Sequence, residues 1–147
     1  MQLAMLLPLA LGAIGILQGA LNRIMSNNIG MSWMLVIGNI ITLLVCLAFF
    51  LIVKTQPQLF PDFVKVKELS FKWWYLIPGI FGFLFVAGLP LAIYKLGAVK
   101  VTVGMIAAQM MTSVFWDIYV EGIPFSVNKG VGIIFAIMSV VMITFFK

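Results

Sequence analysis

Residues 33–53, which read WMLVIGNIITLLVCLAFFLIV, decide the fold class. They contain no charged residue from one end to the other, and about 20 apolar residues are enough for a helix to cross a hydrocarbon core of about 30 Å. Trp33 stands at the start of the stretch, and tryptophan is enriched where a chain enters the membrane interface. Residues 33–53 therefore predict a transmembrane helix.

The rest of the chain has the same character. Of its 147 residues 64% are hydrophobic and 9% charged, whereas soluble domains are about half apolar and about a quarter charged. We predict an all-α membrane protein, a single domain over residues 1–147 with five transmembrane helices at about 2–22, 33–53, 73–94, 100–120 and 130–146. No basic residue precedes the first apolar run, so we expect it to be a retained helix rather than a cleaved signal. The polar loop 54–72 is too small for a soluble domain, so function is expected among the helices.

Several classes of function are excluded by residue counts. Histidine is absent and Cys46 is the only cysteine, so neither a His/Cys metal cluster nor a Cys-His catalytic pair can form, and no cofactor is expected. We expect Cys46 to be a packing residue. The net charge of +5 is spread over short connections and forms no basic run of the kind that nucleic acid requires. An enzyme is disfavoured because no nucleophile-base constellation is present.

The orientation signal is weak. Lys and Arg concentrate on the cytoplasmic side of membrane proteins, and alternate spans place five of them on one side, namely Lys54, Lys65, Lys67, Lys72 and Lys129. The other side has four, namely Arg23, Lys95, Lys100 and Lys147. Two interpretations remain open: the Lys-rich loop is cytoplasmic in every copy, or the chain inserts both ways and pairs antiparallel with itself.

The fourth span contains residues 107–117, AAQMMTSVFWD, whose polar side chains follow a helical period. Gln109, Thr112, Ser113, Trp116 and Asp117 stand at i, i+3, i+4, i+7 and i+8, which places them on one face of a helix. At about 1.5 Å per residue, Gln109 lies about 14 Å from Lys100 and Asp117 about 25 Å. Gln109 is thus near the midplane and Asp117 near the far edge. Asp117 either faces a polar cavity or is solvated at the interface, and Gln109 serves either a site or an interhelical hydrogen bond.

Further polar side chains stand in the first two spans. Gln18 and Asn22 are one turn apart, and Asn39 lies at a similar depth on the same side of the membrane. Gln18 and Asn39 could line one site or bond to each other. In the third span Pro90 removes a backbone hydrogen bond, which predicts a broken helix near a substrate site or a static kink.

These landmarks resemble a known family. They are Gln18-x-x-x-Asn22, Trp73-Trp74 before a glycine-rich third span, Gly97-Ala98, Ala108-Gln109 and Asp117. In number and order they are similar to the small, five-span YdcZ-like branch of the drug/metabolite transporter superfamily. The sequence departs from the family pattern at two places. Ala108 stands where a glycine is usual, and Ile118-Tyr119-Val120 follows the aspartate where the family tends to have a His-Phe-Gly-like stretch.

The resemblance implies a multi-pass transporter of the inner membrane, a helix bundle that acts as a dimer or as half of a larger inverted-repeat unit. The weak charge bias fits antiparallel homodimers, in which the partner's Asp117 would arrive on the same side as Asn22; a heterodimer with a paralogue is the other pairing. The expected activity is alternating-access transport of a small polar or cationic organic solute. The alternative is a non-transporting assembly subunit that needs a paralogous partner. The candidate residues for substrate binding or coupling are Asp117, Gln109, Ser113, Trp116, Gln18, Asn22 and Asn39.

Overall fold

The computed structural model describes the backbone of residues 2–145 and the side chains of residues 6–143. It contains five α-helices, α1 (Gln2–Ile29), α2 (Met31–Thr55), α3 (Leu76–Leu96), α4 (Ala98–Tyr119) and α5 (Val127–Phe145), with short 3₁₀ helices at Pro57–Leu59 and Trp73–Tyr75. No strand occurs within residues 2–145. The predicted all-α fold is confirmed.

Four of the helices are long and apolar enough to cross a membrane. They cover Leu6–Ile29, Met31–Thr55, Trp73–Leu96 and Ala98–Tyr119. The apolar run of α5, Val127–Ile143, is shorter, so its crossing stays a prediction. At this length, the apolar run of α5 lies close to the lower limit of about 17 residues that a spanning helix needs.

Two single glycines connect helices without a loop. Gly30 separates α1 from α2 with φ 84° and ψ 152°, and Gly97 separates α3 from α4 with φ 84° and ψ 155°. Each glycine N–H donates to the carbonyl four residues earlier, that of Ser26 or of Ile93, at 2.9 Å. Because side-chain-bearing residues rarely adopt this positive φ, glycine permits the same abrupt joint twice.

Two details differ from the sequence prediction, and a third excludes one of the two alternatives for Pro90. The helix α1 continues beyond residue 22 to Ile29, because its backbone hydrogen bonds are made within the helix whether or not the side chains are apolar. The helix α3 is continuous through Pro90, so this helix is not broken there. Cys46 is exposed, so it does not pack within the protomer, and the expectation of a packing role was wrong for the single chain.

The chain divides into two compact units. One comprises residues 1–20 and 91–147, the other residues 21–90. In the first, α5 packs against α4 through small residues: a Cβ added to Gly132 would lie 3.2 Å from the Met110 methyl carbon, and the ring of Phe125 covers Gly130. In the second, Phe49 of α2 meets Phe60 edge to face, with ring centroids 5.8 Å apart.

Candidate functional site

An open depression runs along the polar face of α4. Its volume is about 480 Å³, and its lining consists of Ala108, Gln109, Thr112, Ser113, Trp116 and Asp117. The structure therefore brings together the polar residues that the helical spacing had placed on one face. A helix with a polar face inside an otherwise apolar membrane protein faces protein or water more often than lipid.

The hydroxyls and amide of this face differ in how far their hydrogen bonds are satisfied. Thr112 donates its hydroxyl to the Ala108 carbonyl of its own helix at 2.9 Å. Gln109 and Ser113 are exposed, and no side-chain hydrogen bond joins either of them to another residue of the described part of the chain. Gln109 and Ser113 are consequently the groups on α4 that remain available to a solute or a partner helix.

Asp117 is paired at the end of the depression. Its Oδ2 accepts a hydrogen bond from Lys129 Nζ at 2.6 Å, and the two side chains are 32% and 34% exposed. Lys129 belongs to the first turn of α5, so the ion pair joins the end of α4 to the start of α5. Asp117 is thus neither a lone membrane carboxylate nor a fully solvated one.

The connection between α4 and α5 is hydrogen-bonded around this pair. The Trp116 carbonyl accepts hydrogen bonds from the N–H groups of Val120 and Glu121, and the Asp117 carbonyl accepts one from Ile123. The Trp116 indole N–H donates to Glu121 Oε1 at 3.2 Å. Since the indole is already hydrogen-bonded, its exposed ring face is the part of Trp116 that is open to a ligand.

The amides of α1 and α2 are less organised. Gln18 and Asn39 are exposed and Asn22 is half-buried. Asn39 Nδ2 donates to the Leu35 carbonyl of its own helix at 2.7 Å. No hydrogen bond joins Asn22 to Asn39 in the described part of residues 21–90, so a site shared by these amides remains a prediction.

Lys129 is the residue of the α4 site that sequence reasoning missed. It is 12 positions from Asp117 along the chain and had been counted as a topology signal. The signal that could have found it is the short connection with Gly122 and Pro124, because a tight turn there returns the chain to the end of α4.

The described residues offer no metal site. No group of three or more His, Cys, Asp or Glu side chains within them is close enough to hold an ion. The polar face of α4 instead combines an amide, a hydroxyl, an aromatic ring and an ion pair. Such a set can hydrogen-bond a small polar molecule and stack against it.

Comparison with known families gives an independent assignment. Residues 3–142 match the model of the family described as "Putative inner membrane exporter, YdcZ". The match covers more than nine-tenths of the chain, including all four long apolar helices. Searches of curated proteins and of solved structures found no match. By this match and by its membrane-length helices, the chain is a multi-pass inner-membrane protein that belongs to the YdcZ family of the drug/metabolite transporter superfamily.

Proposed function

We propose that the protein moves a small polar or cationic organic solute across the inner membrane by alternating access, with the polar face of α4 as part of the solute path. The open depression along that face supports this proposal most directly. Gln109 and Ser113 would hydrogen-bond the solute near the midplane, and the ring of Trp116 would stack on an apolar or cationic group.

Asp117 would be the group that couples solute binding to movement. A cationic group that enters the depression must compete with the Lys129 ammonium for the carboxylate, because the two form a 2.6 Å ion pair. Opening this pair would release the first turn of α5 from the end of α4. Binding and a helix displacement would then be linked through one electrostatic contact.

The functional unit in this proposal is an antiparallel dimer. The Lys and Arg counts of five and four on the two sides give the chain almost no preferred orientation. Transporters of this kind place the substrate between repeats of opposite orientation, and a second copy in the opposite orientation would supply that repeat. Gln18, Asn22 and Asn39 would contribute hydrogen bonds from α1 and α2.

A transport experiment tests the role of Asp117. Proteoliposomes are loaded with a small-molecule cell extract, and the solutes that leave are identified by mass spectrometry. We expect a defined set to leave with the wild type and with Asp62→Asn, a control that breaks an ion pair in the loop. The same set should leave at least tenfold more slowly with Asp117→Asn. Equal rates for the two variants would remove Asp117 from the mechanism.

Orientation is tested separately. A reporter active only in the cytoplasm and one active only outside are fused in turn to the C-terminus. Signal from both is the expected result, because the charge bias is small. Signal from one side only would contradict the antiparallel homodimer. Solute flux that appears only after a paralogue is added would favour the assembly-subunit alternative.

A further inference from the structure

Arg23 is a charged residue within α1, and its guanidinium Nε has no hydrogen-bond partner among the described residues. The residue is half-buried, and its Nε is shielded from solvent without a hydrogen-bond acceptor among the described residues. A guanidinium stays protonated at every physiological pH. Shielding a guanidinium N–H from water is costly unless an acceptor, best an anion, replaces the lost hydration.

Ser26, one turn further along α1, also has a polar atom without a partner. Its hydroxyl oxygen is also shielded and also has no hydrogen-bond partner within the described residues. Positions 23 and 26 lie on the same face of a helix because they are three residues apart. The Arg23 guanidinium and the Ser26 hydroxyl thus belong to one helix face, and each has an unused hydrogen bond. Donors of these two kinds are typical of an oxyanion site.

No acidic side chain of the described residues pairs with Arg23. The chain has four acidic residues, and the ion pairs of the described residues are Lys65 with Asp62 and Lys129 with Asp117. The other two acidic residues, Glu68 and Glu121, stand in the loop 54–72 and in the connection after α4. With alternate spans, all four lie toward the membrane side opposite Arg23. None of these four side chains is therefore the counter-ion of Arg23.

We propose that Arg23 and Ser26 form a binding site for an oxyanion, a phosphate or carboxylate group carried by a molecule from outside the protomer. The planar guanidinium can hold two oxygens of such a group side by side, and the serine hydroxyl can bind a third. Arg23 lies about 9 Å from the end of α1 at Ile29. At this depth both a lipid headgroup at the interface and a small anionic solute can approach the half-buried side chain of Arg23. The site shares no residue with the lining of the α4 depression, and the proposal does not depend on the role of that depression in transport.

The test measures binding to the purified full-length protein in detergent. Affinity for phosphatidylglycerol and for phosphatidylcholine is determined by native mass spectrometry, with inorganic phosphate and citrate as competitors. We expect preference for phosphatidylglycerol. Arg23→Gln should weaken binding roughly tenfold, the equivalent of one charge-assisted contact, and Ser26→Ala several-fold. The control Lys95→Gln, which removes an exposed lysine assigned to the same membrane side, should bind as the wild type does.

The competitors distinguish the sources of the oxyanion. Binding that phosphate and citrate do not displace assigns the site to a lipid headgroup, and displacement by either assigns it to a free anion; both outcomes support the proposal. If Arg23→Gln does not fold, Arg23→Lys replaces it and should weaken binding because the two-oxygen contact is lost. Equal affinity of Arg23→Gln, Ser26→Ala and the wild type would overturn the proposal. Absence of oxyanion binding by the wild type would also overturn the proposal, even if the substitution of Arg23 changed the stability of a dimer.

Discussion

Two ion pairs of similar length stand in different surroundings. Lys65 and Asp62 of the loop are 2.7 Å apart, with the carboxylate 92% exposed, whereas Lys129 and Asp117 are 2.6 Å apart and both about two-thirds covered. The loop pair is three residues apart on one turn of chain, but the second pair joins two helices. The distance between the nitrogen and oxygen atoms alone therefore says little about how much an ion pair contributes to stability. What differs is how much water each pair has lost and what it holds together.

The largest expected effect is on the helix pair. Lys129→Met leaves the Asp117 carboxylate partly shielded and unpaired, and a hydrogen bond between charged groups is worth about 2 kcal/mol. We expect a clear fall in the unfolding midpoint in detergent. Lys65→Met, which breaks the exposed pair, should leave the midpoint unchanged, because exposed pairs contribute little. Equal midpoints for the two variants would mean that the shielding of the helix pair has no energetic consequence.

A charge exchange sharpens the same comparison. If the contact itself matters, the double variant Asp117→Lys with Lys129→Asp should recover at least half of the stability that Lys129→Met loses. Transport is expected to stay impaired, because the carboxylate is then carried by α5 and no longer ends the polar face of α4. Recovery of both stability and transport would show that only the pair is required, and not the position of the carboxylate.

The packing of α5 against α4 is expected to contribute about as much to stability as the ion pair does, or somewhat less. Gly132→Val adds volume where a Cβ would already lie 3.2 Å from the Met110 methyl carbon, and overpacking costs about 1–2 kcal/mol. A lower unfolding midpoint is expected. Gly104→Val is the matched control on α4, where a Cβ would meet no atom within 4 Å. Loss of stability in both variants alike would point to a general helix effect.

The smallest effect concerns the indole beside the pair. Trp116→Phe removes the hydrogen bond to Glu121 and keeps an aromatic ring, so we expect a loss of about 0.5–1 kcal/mol in unfolding free energy. Solute flux should persist if the ring stacks on the solute and fall with Trp116→Leu. A flux that is lost with phenylalanine as well would assign the role of Trp116 to its N–H.

The fold could be predicted further than the site. Hydropathy and length indicated five helices because a charge-free stretch such as 33–53 has few alternatives, and the spacing from Gln109 to Asp117 placed the polar residues on one face. The end of α1 was predicted too early because side-chain polarity, not backbone hydrogen bonding, set the estimate. The contact between Asp117 and Lys129 depends on how seven connecting residues, 120–126, turn back, and no helical period encodes that.

Arg23 is a second residue whose surroundings could not be predicted from the sequence. Its charge was read from the sequence as an orientation signal, and its shielded Nε becomes visible only when side chains are placed. Composition establishes that a charge exists, whereas the hydrogen bonds left unmade depend on the surroundings of individual atoms. Polar groups without partners, like the contact between Asp117 and Lys129, are therefore features of this protein that the structure adds to the sequence.

Accessibility of α4 to water tests the central claim most directly, and it requires no knowledge of the solute. In a Cys46→Ser background, single cysteines replace Gln109 and Ser113 on the polar face, or Met111 and Phe115, which are exposed on the apolar face. Intact membranes are treated with a membrane-impermeant thiol reagent. We predict that positions 109 and 113 react and that positions 111 and 115 do not. Equal reactivity of the two faces, or none at either, would contradict a solute path along α4.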